Sequence, residues 1–184
     1  WKVICLLYEA YGISKEEAND FLENVGFATV GDVMPLMGEN RILVKEGLKR
    51  LRKTKNPGMR ALIAQCELAP EQITAGRIGF RLGPCINASG RLDTAKRSLE
   101  LFFQTEMEQA VTIANELVQL NNERKAFTEN GVKQAIAYYE ENACEKDAVL
   151  VIYLPEVHES IAGIIAGRIR ERYYKPTFIL TDAE

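Results

Sequence analysis

Hydrophobic positions recur at helical spacing along most of this chain and change to a strand pattern only near its end. Trp1 to Tyr11 is apolar in helical rhythm, and Gly12 stands where a left-handed residue usually ends a helix. Ser14-Lys15-Glu16-Glu17 has the form of a capping box, which predicts a second helix starting there with Phe21, Leu22 and Val25 on one face. Val25 to Leu36 is small and apolar with one carboxylate, and Pro35 keeps a regular helix from continuing through it. Arg41 to Lys53 is amphipathic: Val44, Leu48 and Leu51 form an inner stripe, while Lys45, Lys49 and Arg52 share an outer region. Asn56-Pro57-Gly58 reads as a turn and Gly58 to Glu67 as a further helix. From Pro70 the pattern loosens. Gly76, Gly79, Gly83, Pro84 and Gly90 punctuate an irregular stretch before helix resumes from Ala95 to Phe103.

Glu106 to Asn142 holds no proline and one glycine, Gly131. As a single helix it would reach on the order of 50 Å at ~1.5 Å per residue, long enough to join two domains. Two shorter helices broken at Gly131 are the alternative. Ala148 to Tyr153 is β-branched and apolar, the pattern of a buried strand; Ser160 to Tyr173 is helical; Thr177 to Thr181 is a second strand. Strand, helix and strand with a short return predict parallel pairing through a right-handed crossover. The chain opens in mid-helical rhythm without a cap and closes just after an apolar strand, so it reads as a segment of a longer protein.

Composition is that of a soluble globular protein, 47% hydrophobic and 27% charged, with a net charge of −3. The distribution of charge adds more than the total. Arg41 to Arg60 carries eight cations against Glu46, and Gly76 to Arg97 carries five against Asp93, whereas Glu106 to Asp147 is acidic. The two basic segments are either a pair of solvated helix faces or, if they meet, a binding groove. Cys5, Cys66, Cys85 and Cys144 form no CxxC pair and His158 is the only histidine, which argues against structural zinc and for free thiols in a reducing cytoplasmic setting. No apolar run is long enough to span a bilayer, so no membrane partner is expected.

Three places have residues suited to chemistry. Asp32, beside Gly31 and after an apolar run, is either a metal-ligating carboxylate or a turn residue, and one carboxylate alone makes no hydrolytic metal site. Gly76 to Leu92 combines glycines, which admit close backbone approach, with Arg81 and Arg91, whose forked donors match phosphate, and with Asn87 and Ser89 as neutral donors. An irregular connection with exposed arginines is the plainer reading. His158 and Arg168 flank a predicted helix start, where free amides favour an anion. There Ala162, Gly163, Ala166 and Gly167 suit close packing of the helix on a sheet, and His158 serves equally as a residue leading into the helix.

Three stretches together resemble the RecJ family within the DHH phosphoesterases. Thr29 to Leu36 with Gly38-Glu39-Asn40-Arg41 is similar to the family's last metal-ligand motif. Gly83-Pro84-Cys85-Ile86-Asn87-Ala88-Ser89-Gly90-Arg91-Leu92 is similar to its Gly-Pro-Arg-x-Asn-Ala-x-Gly-Arg-Leu motif, with Cys85 in place of the first arginine. His158 to Arg168 resembles the opening of the DHH-associated domain. Order and separation agree as well.

The resemblance implies an α/β chain: the mostly helical C-terminal part of a DHH domain with the interdomain segment (1–104), a long connecting helix (105–142), and the start of a DHH-associated domain (143–184). It implies an exonuclease that degrades single-stranded DNA from the 5′ end in DNA repair and recombination, with two Mn²⁺ or Mg²⁺ ions activating water. Asp32 would be a metal ligand. Arg91, Asn87, Ser89 and Arg81 would line the DNA cleft, with His158 and Arg168 on the far side. The other metal ligands would precede Trp1, so this segment alone is expected to bind no metal pair and to be inactive. Single-stranded DNA is the expected partner, and a single-stranded-DNA-binding protein a further candidate. Alternatives on the same scaffold are a phosphodiesterase for short oligonucleotides or cyclic dinucleotides and a non-catalytic DNA-binding or scaffold relative.

Overall fold

The computed structural model describes residues 1–92, 94–142 and 147–182. Asp93, Cys144 and the last two residues, which figure in the charge, thiol and chain-end readings above, lie outside the described residues. The fold is α/β and mostly helical. Helix α1 (Lys2–Ala10) ends before Gly12, whose φ of 69° is the left-handed stop expected of it. The helix predicted from Ser14 begins differently: the Ser14 hydroxyl accepts from the Glu16 N–H, a short 3-10 turn follows (Glu17–Phe21), and the α-helix α2 spans Leu22–Gly31.

Helix α3 (Gly38–Leu51) buries Val44 and Leu51 and crosses α2 where two glycines meet. A Cβ on Gly26 would stand 2.9 Å from the Gly47 Cα, so neither position has room for a side chain. Asn56-Pro57-Gly58 is a helix start rather than a free turn. The Asn56 carboxamide accepts from the Met59 N–H at 2.9 Å, Pro57 takes the first position of α4 (Pro57–Gln65), and the Asn56 amide donates to the Phe102 carbonyl at 2.8 Å.

The stretch read as irregular is instead helical throughout. A helical turn α5 (Ala75–Arg77), a π turn (Ile78–Leu82) and helix α6 (Gly83–Leu92) follow without a break. Pro84 has no N–H, and in an α-helix its ring strikes the carbonyl four residues back; the widened π turn just before it absorbs both defects. Packing stabilises this glycine-rich helix: Ile78, Leu82, Cys85 and Ala88 form a stripe at most 2% exposed. Helix α7 (Lys96–Phe103) then leads to α8 (Met107–Asn142), a single helix of 36 residues, on the order of 54 Å long.

Helix α8 belongs to both of the molecule's cores. Its first half lays Ala110, Ile113, Ala114 and Leu117 into the core formed with α2, α3, α4, α6 and α7. Its second half lays Ala135 against a parallel unit of β1 (Leu150–Tyr153), α9 (Glu159–Tyr173) and β2 (Thr177–Leu180), paired in the register Leu150 to Thr177 through Tyr153 to Leu180. Gly131 does not break the helix. It lets α9 approach, since a Cβ there would lie 3.3 Å from Ile165 Cγ1 and 3.4 Å from Val157 Cγ2.

Two packing expectations are corrected. β1 is not buried on both faces: Leu150 and Ile152 point inward, whereas Val151 and Tyr153 are about half exposed, because α9 covers only one side of the sheet. The glycines of α9 do not seat it closely on the sheet either, since a Cβ on Gly163 or Gly167 meets nothing within 4 Å, whereas Ala162 is buried in the second core.

Candidate nucleic-acid interface

The C-terminal end of α2 rests on the π turn and the start of α6, with the Gly31 Cα 3.9 Å from where a Gly83 Cβ would be. Asp32 therefore sits beside the first residue of the Gly-Pro helix. It is exposed and follows the last residue of α2, its N–H bonded to the Ala28 carbonyl at 2.9 Å. The next residue, Val33, has φ 54° and is 86% exposed. A β-branched residue in the left-handed region is strained by about 1–2 kcal/mol, so the turn that presents Asp32 is held by its surroundings.

Helix α6 carries the candidate donors from there toward the second core. Asn87 and Arg91, one turn apart, lie exposed on the same face and line a shallow hollow with Ile86, Gly90 and Leu99. Ser89 points the other way. It is fully buried, its hydroxyl 2.7 Å from that of Ser98 and donating to the Ile86 carbonyl at 3.0 Å, so it does not reach a phosphate on the surface. Arg81 is half-buried in the π turn. The helical backbone also changes the role of the glycines: their amides are engaged in the helix and do not form a phosphate-cradling loop.

At the far end of α6, about 12 Å along its axis from Gly83, Arg91 Nη1 donates to the Ser160 carbonyl at 2.7 Å and links the first core to the opening turn of α9. Arg124, on the middle of α8, is a site residue that the sequence reading missed. Its Nε and Nη2 donate to Asn121 Oδ1 at 3.2 and 3.0 Å. Burial, and then the positive charges of Arg91 and Arg168, hold its pKa below the usual arginine value. The guanidinium groups of Arg91 on α6 and Arg168 on α9 thus act on that of Arg124 on α8 where the two cores meet, an environment that an anion would relieve. The only hint in the sequence was the one arginine of the long helix, beside Lys125, in a segment with more acidic than basic residues.

His158 caps α9: its Nδ1 accepts from the Ser160 N–H at 3.2 Å and lies 2.7 Å from the Ser160 hydroxyl. It is exposed and lines a hollow with Phe127, Gln134 and Glu123. Arg168 is exposed nearly three turns further along α9. Most of the first basic segment lies on α3, which packs on α2, and α2 in turn packs on α6. Several cations of the two basic segments are already paired: Lys49 with Glu46, Arg50 with Asp20, and Arg97 with Glu100 and Glu116, while Arg52 donates to the Ile73 carbonyl. Among the described residues no three His, Cys, Asp or Glu side chains are grouped to hold a metal ion, and no helix is long and apolar enough to cross a membrane.

The arrangement defines an α/β chain in which two cores share one long helix and arginines converge at their junction. No family model matches it. Over 183 residues, 97% of its length, it is 34% identical to the single-stranded-DNA-specific exonuclease RecJ of Dickeya dadantii, and over 168 residues, 89% of its length, 35% identical to that of Escherichia coli. The crystal structure of RecJ from Thermus thermophilus in complex with Mg²⁺ superposes with a TM-score of 0.84 at 30% identity, covering 95% of this chain and 27% of that one; the Mn²⁺ complex matches equally well. The chain is thus similar to these proteins in both sequence and fold. It spans about a third of the length of the curated relatives it matches, 32% of the Dickeya protein and 29% of the Escherichia coli one.

Proposed function

We propose that this chain is the part of a RecJ-like exonuclease that grips the backbone of single-stranded DNA where the two cores meet, in an enzyme removing nucleotides from the 5′ end during DNA repair and recombination in the cytoplasm. The convergence of Arg91, Arg124 and Arg168 carries the reading. Three cations from three helices, one of them half-buried and fixed by Asn121, suit a phosphate better than any other abundant anion, since each presents a fork of donors. Asn87, on the Arg91 face of α6, adds a neutral donor. The Arg91 bond to the Ser160 carbonyl sets the spacing of the two sides, which favours a single strand over a duplex.

RecJ structures contain Mg²⁺ or Mn²⁺, and Asp32 is the residue here that would contribute to such a centre. The described residues do not form it themselves, because they bring one carboxylate to this place and a divalent-metal site needs several oxygen ligands. Besides that one ligand, the contribution of this chain to catalysis is binding and alignment of the strand. The names of the relatives favour this reading over a phosphodiesterase for cyclic dinucleotides. A single-stranded-DNA-binding protein is the partner that would deliver the strand.

The test measures affinity for a single-stranded oligonucleotide across a salt series, using the full-length protein. Arg91→Ala and Arg124→Gln should each weaken binding, and each should make the slope of log affinity against log salt shallower by about one unit. Unchanged affinity and slope in both variants would overturn the reading.

A further inference from the structure

The Gly-Pro helix has a second side, and it faces another sulfur. Cys85, on the first turn of α6, and Cys66, just past the end of α4, lie with their Sγ atoms 3.7 Å apart inside the first core, 2% and 7% exposed. Neither belongs to the phosphate site. We infer that Cys66 and Cys85 are an oxidisable dithiol, a modification site that a hydroperoxide converts to a disulfide joining α4 to α6.

The surroundings assign different roles to the two sulfurs. Cys85 shares with Cys66 a hydrogen bond that either sulfur can donate, receives the Asn121 Nδ2–H (3.6 Å), and when protonated can donate to the Arg81 carbonyl at 3.3 Å. The hydrogen bond from Cys66, aided by the Lys125 charge and the Asn121 amide, holds the Cys85 thiol below its usual range against the effect of burial. The same hydrogen bond, together with burial, pushes the Cys66 thiol up. Cys85, the sulfur that the Asn121 amide reaches, is the attacking thiolate and Cys66 the resolving thiol.

In the first step the Cys85 sulfur attacks one peroxide oxygen and the O–O bond breaks. Cys85 becomes a sulfenic acid, and the departing hydroxide takes a proton to leave as water. In the second step Cys66 gives up its proton and attacks Cys85 Sγ, the S–O bond breaks, and a second water leaves. Two thiols lose two electrons and hydrogen peroxide is reduced to two waters. The sulfurs must close from 3.7 Å to ~2.05 Å, about 1.7 Å. Cys66 caps the end of α4, its N–H bonded to the Leu62 carbonyl at 3.0 Å, and Cys85 lies on the first turn of α6, so the sulfurs close by a shift between a helix end and a helix start.

Closure reaches the phosphate site through one residue. Asn121 is buried, donates to Cys85 Sγ, and accepts from Arg124 through its other atom. A disulfide at Cys85 removes its hydrogen from the Arg81 carbonyl and draws the sulfur from Asn121, loosening the anchor of Arg124.

The experiment exposes the full chain to hydrogen peroxide under native conditions, blocks remaining thiols, and maps tryptic peptides without reduction. The expected result is a covalent link between the peptides of residues 61–77 and 82–91, with loss of two of the four thiols, absent from both Cys66→Ser and Cys85→Ser. Both thiols still blockable, separate sulfinic acids, or links running instead to Cys5 or Cys144 would overturn the inference. Should the serine variants fail to fold, the peptide link in the unsubstituted chain decides alone. A fall in oligonucleotide affinity on oxidation, reversed by a dithiol reductant, reports the coupling to Arg124. That second measurement rests on the proposed DNA reading, whereas the peptide link does not.

Discussion

Gly131 and Gly163 both lie inside helices, and by local propensity alone each is a weak point that alanine should improve by about 1 kcal/mol. Tertiary structure gives them opposite signs. A Cβ at Gly131 falls inside contact distance of the Ile165 terminal methyl and within 3.4 Å of Val157. Ile165 is fully buried, so its methyl can yield only by turning within the second core. Overpacking of this kind costs about 1–3 kcal/mol. Set against the propensity gain, Gly131→Ala is expected to destabilise the second core by up to about 2 kcal/mol. Gly163→Ala meets nothing within 4 Å and should stabilise by up to about 1 kcal/mol. Urea unfolding of the full chain measures both. The Tyr139 and Tyr173 rings, 4.2 Å apart in the second core, provide a near-ultraviolet dichroism signal that separates its transition from that of the first core. If Gly131→Ala raises the midpoint as much as Gly163→Ala does, the close approach of α8 and α9 is wrong, and with it the account of how Arg124 and Arg168 are brought together.

The remaining predictions concern a carboxyl and a cap. Burial holds the Glu23 carboxyl above its ordinary value of 4.5, with the Thr54 hydroxyl and Arg50 acting the other way. A raised folded pKa means that the folded state binds this proton more tightly than the unfolded state does. The group's stabilisation is thus complete below pH 4.5 and is lost as pH rises through the raised folded value. Glu23→Gln, which can still accept from Thr54, should therefore unfold at higher temperature than the parent at neutral pH, with the difference closing below pH 4.5; a difference that widens on acidification would contradict this. His158→Ala should cost about 1 kcal/mol through loss of the α9 cap, whereas His158→Asp should retain it, as read by thermal unfolding. Equal losses in the two variants would show that the acceptor at this position is not what stabilises the helix.

Much of the scaffold was legible as local pattern. The apolar spacing of α3 and α4, the stop at Gly12 and the parallel strand-helix-strand unit are properties of short windows of sequence, and the structure bears them out; whether Gly131 divides α8 was left open by the sequence. The three motifs were readable in the same way, because the likeness to RecJ resides in contiguous residues. Other features depended on which surfaces meet. The segment from Ala75 to Leu92 reads as loop because its glycines and proline disfavour a helix one residue at a time. It is helical because Ile78, Leu82, Cys85 and Ala88 share a stripe that the first core buries. Ser89 and Arg91 are two residues apart and both suit phosphate, yet the turn of the helix buries one and exposes the other. Arg124 belongs to the site only because α6 and α9 bring Arg91 and Arg168 beside it. Periodicity along a chain records which face of an element is apolar; it does not record the partner that face meets. The spacing of charges and sulfurs contributed by different elements is therefore set by packing alone.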